Sequence, residues 1–111
     1  MNRYTAVTKY IRISPRKARL AAGLIRGLKV EEAERQLKFS GLKGGRLLMK
    51  TLKSAMANAE TQGEARREQL VVEEVRVDEG PRLKRSKPRS RGNRHPILKR
   101  MSHFTVVVAA S

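Results

Sequence analysis

Between Arg82 and Arg100 runs RLKRSKPRSRGNRHPILKR, nineteen residues with nine Lys or Arg and no Asp or Glu. Burying so many like charges would cost several kcal/mol per ion, so this stretch cannot belong to a hydrophobic core. The segments on either side of it can. Leu70-Val71-Val72, Val75 and Val77 precede it, and Phe104-Thr105-Val106-Val107-Val108-Ala109 follow it, both with the β-branched content of strands. About twenty-six residues separate the two strands, too many for an ordinary hairpin loop, and no helical pattern fills the gap. The pattern predicts one protruding basic β-hairpin. In this reading Gly80-Pro81 marks where the first strand leaves the sheet, the tip lies near Arg89 to Gly92, and the chain returns through Ile97 and Leu98. Ten or so residues per arm at about 3.3 Å each would reach roughly 30 to 40 Å past the core.

The charge balance points the same way. With 26 Lys+Arg against 10 Asp+Glu the chain carries a formal +16, and its pI is near 11.4. Without the nine cations of the hairpin, 17 basic residues face 10 acidic ones, or +7, so more than half of the net charge sits in the arm. Self-repulsion at this density calls for a polyanionic partner. The longest uninterrupted apolar run is Val106 to Ala110, far short of the roughly 20 residues that span a bilayer, so no membrane partner is expected. Met1 to Thr5 lack the apolar stretch of a secretory signal, and the expectation is a chain that stays in the compartment where it is made. There is no cysteine, which excludes disulfides, zinc knuckles and thiol catalysis. The four aromatics, Tyr4, Tyr10, Phe39 and Phe104, are too scattered for a base-stacking sheet. Charge and shape must therefore carry recognition of any RNA.

The 111 residues suit one domain, residues 1–111, with the arm at about 79–100. Loose alternation of Tyr4, Ala6, Tyr10, Ile11 and Ile13 predicts a short strand in the first dozen residues. Ser14-Pro15 is a helix start, because Ser accepts from free first-turn N–H groups and Pro loses no hydrogen bond at the first helical position. A helix over about 15–26 follows. Ala18, Ala21, Ala22 and Ile25 form its apolar stripe, Leu20 and Leu24 widen it, and Gly27 ends it. A second helix spans about 30–37, with Glu31 and Glu32 in its first turn where the dipole favours them. The third is the strongest: Leu48, Leu52, Ala55, Met56 and Ala59 recur at helical spacing through to Gln62, with Gly63 closing it. Gly44 and Gly45 each cost about 1 kcal/mol relative to Ala inside a helix, which predicts a late start for it. The resulting fold is α+β, three helices packed on a small three-stranded antiparallel sheet with the hairpin added.

Two groups of residues carry the chemistry. The first is the arm: Arg82, Lys84, Arg85, Lys87, Arg89, Arg91, Arg94, Lys99 and Arg100, with His95 placed to pack on RNA. Arg outnumbers Lys six to three, and the guanidinium fork suits bidentate phosphate contact and stacking on bases. Strands on both sides argue against a merely soluble basic tail. The second group is Lys9, Arg12, Arg16, Lys17 and Arg19, the last three at a helix N-terminus that itself attracts anions. Enzymatic readings fail. Asp78 and Glu79 are neighbours on a strand and point to opposite faces, so they suit ion pairs at the base of the arm rather than shared acid–base work. His95 and His103 have no partners at metal-ligand spacing, and His103 falls in or near the sheet. Gly41-Leu42-Lys43-Gly44-Gly45-Arg46 lacks the order of a phosphate loop. No catalytic residue, metal, cofactor or small-molecule substrate is expected.

The chain resembles the large-subunit ribosomal protein L twenty-two family from end to end. The matching motifs are Ser14-Pro15-Arg16-Lys17-Ala18-Arg19-Leu20, Leu24-Ile25-Arg26-Gly27, Leu52-Lys53-Ser54-Ala55 and Ala57-Asn58-Ala59-Glu60. They continue with Val77-Asp78-Glu79-Gly80-Pro81, Leu83-Lys84-Arg85, Pro88-Arg89, Gly92, Leu98-Lys99-Arg100, Ser102-His103 and Thr105-Val106-Val107-Val108. The resemblance implies a small α+β domain on the outer surface of the large subunit, in the cytoplasm, near the exit of the nascent-chain tunnel. It implies that the arm threads through large-subunit rRNA. It also implies that the tip, here Lys87, Pro88, Arg89, Ser90, Arg91, Gly92, Asn93 and Arg94, lines the tunnel. Partners so implied are large-subunit rRNA, neighbouring ribosomal proteins and the nascent polypeptide, with a role in early subunit assembly and no catalysis. The competing reading from the residues alone is an architectural binder of duplex DNA, since basic arms between strands also wrap DNA. A cationic membrane-active chain fits less well, for want of a basic amphipathic helix with a large aromatic or Leu face.

Overall fold

Phe104, Val106 and Val108 alternate along one strand, and all three are fully excluded from solvent. That strand is the middle of the sheet. The structure, a computed structural model, describes residues 2–63, 65–81, 83–88 and 94–110, and of 83–88 and 94–99 the backbone alone. In chain order the elements are β1 (Arg3–Ile11), α1 (Pro15–Ile25), α2 (Val30–Phe39), α3 (Lys43–Gly63), β2 (Leu70–Glu79), β3 (Leu83–Pro88), β4 (Arg94–Lys99) and β5 (Ser102–Ala110). The main sheet has the order β1-β5-β2, with both pairings antiparallel. β5 contains no Asp, Glu, Lys or Arg, whereas β1 and β2 carry Arg3, Lys9, Glu73, Glu74, Arg76, Asp78 and Glu79. Charged side chains are tolerated on edge strands and deter edge-to-edge association, so the uncharged strand takes the centre.

The three helices cover one face of this sheet, as the periodicity predicts, and close one hydrophobic core with it. Ser14 caps α1 by accepting from the Lys17 N–H at 3.4 Å, Pro15 opens the helix, and Gly27 at φ +78° follows its end. α2 runs two residues past the expected Leu37, where the Ser40 hydroxyl donates to the Leu37 carbonyl at 3.0 Å. Across β5, Arg3 of β1 reaches Glu73, the bulged residue of β2, at 2.8 Å.

Two expectations are corrected. The third helix does not start late: Gly44 and Gly45 lie inside it and are buried. A Cβ on Gly44 would come within 3.3 Å of the Ala18 Cα and within 3.4 Å of the Ala21 Cβ. The glycines let α3 approach α1 and the end of α2, and the close packing offsets their propensity cost. Leu20 and Leu24 do not widen the core stripe of α1, being 62% and 39% exposed. The buried side of α1 is that of Ala18, Ala21, Ala22 and Ile25, and the two leucines lie off it.

β3 and β4 form a second sheet, an antiparallel ladder from Leu83↔Lys99 to Pro88↔Arg94. It is interrupted from the first sheet at Gly80-Pro81, where the Gly80 N–H still donates to the Met101 carbonyl at 2.8 Å. Pro81 has no N–H to continue the ladder. The described Cα trace measures 63 × 26 × 16 Å, with a radius of gyration of 17.0 Å. A compact chain of this length has about 13 Å.

Candidate nucleic-acid interface

Of the residues singled out in the arm, Lys84, Arg85 and Lys87 lie on β3, and Arg94, His95 and Lys99 on β4. The register sets Lys87 opposite His95, Lys84 opposite Leu98, and Arg85 opposite Ile97. Arg100 is exposed just beyond β4. Arg82, Arg89, Ser90, Arg91, Gly92 and Asn93 fall outside the described residues, and with them most of the expected tip.

The arm joins the core at a joint built from three strands. Opposite His103, β1 carries two residues, Lys9 and Tyr10, in a bulge, and Tyr10 has φ 60°. Such a conformation is costly for a bulky residue and persists only where neighbours hold it. Here the Tyr10 N–H donates to His103 Nδ1 at 3.1 Å, which leaves the proton of a neutral His103 ring on Nε2. The two rings meet edge to face with centroids 5.1 Å apart. A Cβ on Gly80 would come within 3.2 Å of the same imidazole, so a larger residue would press on His103 where the arm leaves β2. His103 therefore lies in the sheet as expected, as the packing centre of the joint. Of the two acids expected to pair at the arm's base, Asp78 has no ion pair among the described residues. It lies exposed opposite His103.

The second cluster is brought together only in part. Lys9, Arg12, Arg16 and Lys17 are exposed around the β1 bulge and the N-terminus of α1. Cations at the positive end of a helix dipole are unfavourable unless an anion joins them. Arg19 has a structural duty: its guanidinium donates to the Val77 carbonyl at 3.1 Å. One side of β2 has no strand neighbour, and its carbonyls are met from α1. Arg26 binds the Val75 carbonyl through two nitrogens, at 3.2 and 2.9 Å. Gly27 and Leu28 continue the cover through backbone hydrogen bonds with Val72.

Sequence reading passed over a further group. Lys43, Arg46, Lys50 and Lys53 are all exposed on α3. Their 3-4-3 spacing on the side opposite the apolar stripe was the available signal. Among the described residues there is no group of three or more His, Asp or Glu able to hold a metal ion, and no helix long and apolar enough to cross a membrane.

Sequence comparison settles the family. Residues 6–109 match the model of the family described as "Ribosomal protein L22p/L17e". The chain belongs to that family. It is 74% identical over 104 residues to "Large ribosomal subunit protein uL22" of Protochlamydia amoebophila (strain UWE25), covering 94% of each chain. The proteins of the same name from Chlamydia pneumoniae and Chlamydia felis (strain Fe/C-56) are 63% and 62% identical over 105 residues, covering 95% of each chain. The family is one of ribosomal proteins and not of enzymes. The matched span contains both the core and the arm, so the arm is part of what the relatives share in length.

Proposed function

We propose that the chain is a structural constituent of the large ribosomal subunit in the cytoplasm, has no catalytic role, and binds large-subunit rRNA through its basic hairpin and the N-terminus of α1. It acts as one domain, residues 1–111, with an arm at about 79–100 that enters RNA and takes part in early subunit assembly. The tip, Lys87 to Arg94, lines the nascent-chain tunnel, and neighbouring ribosomal proteins border the core. The observation that carries this reading is an acid-free basic ladder set apart from the core sheet at Gly80-Pro81, in a member of a ribosomal protein family. The cations Arg12, Arg16 and Lys17, without an ion pair among the described residues, support a second point of attachment.

Cations that neutralise phosphates release counterions, so the logarithm of the binding constant falls linearly with the logarithm of salt concentration, with a slope of about 0.7 to 0.9 per phosphate contact. The test is the salt dependence of binding to a large-subunit rRNA fragment, with duplex DNA as competitor. The full chain is compared with a variant carrying Lys84→Gln, Arg85→Gln, Lys87→Gln, Arg94→Gln and Lys99→Gln. A steep slope, shallower by about four for the variant, with RNA preferred throughout, is the expected result. An unchanged slope, or a preference for duplex DNA, would overturn the reading.

A further inference from the structure

We propose that His103 is a positioning residue for RNA binding: its imidazole, held between the Tyr10 amide of β1 and Gly80 just past β2, sets the direction in which the basic arm leaves the core. The inference rests on the rRNA-binding reading above. β5 is the middle strand, and this one side chain of it reaches towards both neighbouring strands at the level where the arm begins. On one side Nδ1 takes the Tyr10 N–H at 3.1 Å, and the two rings meet edge to face. On the other, the adjoining Cε1–Nε2 edge lies 3.2 and 3.3 Å from where a Cβ on Gly80 would stand. An imidazole suits the place because it joins an acceptor to a flat ring.

The backbone does not by itself carry the direction of the core strands into the arm. Among the described residues the ladder bond nearest the arm is that from the Gly80 N–H to the Met101 carbonyl, and the arm's own ladder resumes at Leu83↔Lys99. Pro81, between them, has no N–H to contribute. The returning strand is anchored separately, since Ser102 is fully buried and its hydroxyl donates to the Ile13 carbonyl at 2.8 Å. The outgoing strand has the imidazole against Gly80 instead.

Stability alone is a poor account of this arrangement. Regular pairing in β1 would spare Tyr10 its φ of 60°, and water could satisfy its N–H, because the residue is 63% exposed. A bulge re-aims the groups beside it, and here it turns the Tyr10 N–H onto the imidazole. The register resumes at Ile11↔Ser102, so the distortion is confined to the joint. An arm whose direction is set before it meets RNA loses less conformational freedom on binding, and affinity rises without any added contact.

The experiment measures the arm's direction and its binding separately, in the full chain. Because the sequence has no cysteine, Ser54→Cys on α3 and Ser86→Cys on β3 give a single spin-label pair across the joint. By pulsed electron paramagnetic resonance without RNA, the parent should show one narrow distance distribution. His103→Phe keeps a ring but removes the acceptor. It should broaden the distribution and weaken binding to a large-subunit rRNA fragment about five- to tenfold. Its salt slope should match the parent's, because no phosphate contact is removed. His103→Asn, whose Oδ1 stands near the place of Nδ1, should recover most of both properties. Thermal unfolding checks that each variant is folded. Should His103→Phe fail that check, Tyr10→Gly keeps the N–H, adopts φ 60° without strain and removes only the ring contact, and it should broaden the distribution partway. A broad distribution in the parent, a parent-like one in the folded variants, or affinity lost only together with salt slope would overturn the inference. Distances recorded without RNA judge the joint even if the parent fails to prefer rRNA, so the two readings fail separately.

Discussion

Glycines show how one residue type serves opposite ends in this chain. Gly63 is the last residue of α3, and a Cβ there would sit inside the Tyr4 hydroxyl group. Its φ is not positive, so it is required for room rather than for a left-handed turn. Gly63→Ala should cost about 1 to 3 kcal/mol through forced displacement of Tyr4, measured by denaturant unfolding. Gly23 is the counter-case: it is exposed within α1, and nothing lies within 4 Å of a Cβ built there. Gly23→Ala should raise stability by about 0.5 to 1 kcal/mol, and a loss would show that α1 has an undetected neighbour. Glu32, in the first turn of α2, is held below the usual carboxylate range by the Gln36 side-chain amide and then by the Arg35 guanidinium, 2.6 Å away. A lowered folded pKa stabilises above the unfolded value, and that contribution is lost as pH falls through the folded one. Glu32→Gln should therefore flatten the acid side of the stability profile slightly, in thermal melts taken from neutral pH downward.

At the scale of elements, the sheet depends on how its edges are treated. β5 is paired on both sides, and β2 has its free carbonyls covered by Arg19, Arg26 and the Gly27-Leu28 backbone. Arg26→Ala removes a charged double donor from the Val75 carbonyl and should cost about 1 kcal/mol, since Arg26 is exposed and water can replace part of the bond. Arg26→Lys should recover only a fraction, having no fork to offer. α3 makes the opposite kind of contribution, through packing alone. Leu52 is fully buried at its centre, and Leu52→Ala should cost about 2 to 5 kcal/mol in denaturant unfolding. A cost below about 1 kcal/mol would mean that the helix can collapse into the space, which the close Gly44 contact with α1 argues against.

For the whole molecule, the division of labour between core and arm decides which substitutions are felt where. Arg85→Ala with Arg94→Ala touches the ladder and not the core, so the cooperative thermal transition should persist while rRNA affinity falls. Loss of that transition would show that the ladder holds the core together. Among the described residues, Tyr10, Gly80 and His103 form the joint where the two parts meet.

Much of this architecture was legible in local pattern. Ser14-Pro15 and Gly27 bounded α1, the Leu48-to-Ala59 spacing identified α3, and the β-branched runs around an acid-free basic stretch implied strands feeding a ladder. Those are statements about neighbours along the chain, where dihedral preference, periodicity and charge density act over a few residues. Other features came from tertiary structure alone, because they depend on distance across the fold. Gly44 and Gly45 read as helix breakers until α1 is seen against them. Arg19 reads only as an RNA contact until the edge carbonyl of Val77 in β2 is seen beside it. Leu20 and Leu24 read as core until the buried side of α1 is known. Tyr10 shows its strain only once β1 must bulge to meet His103. Periodicity tells which residues share a face, but packing decides what that face meets.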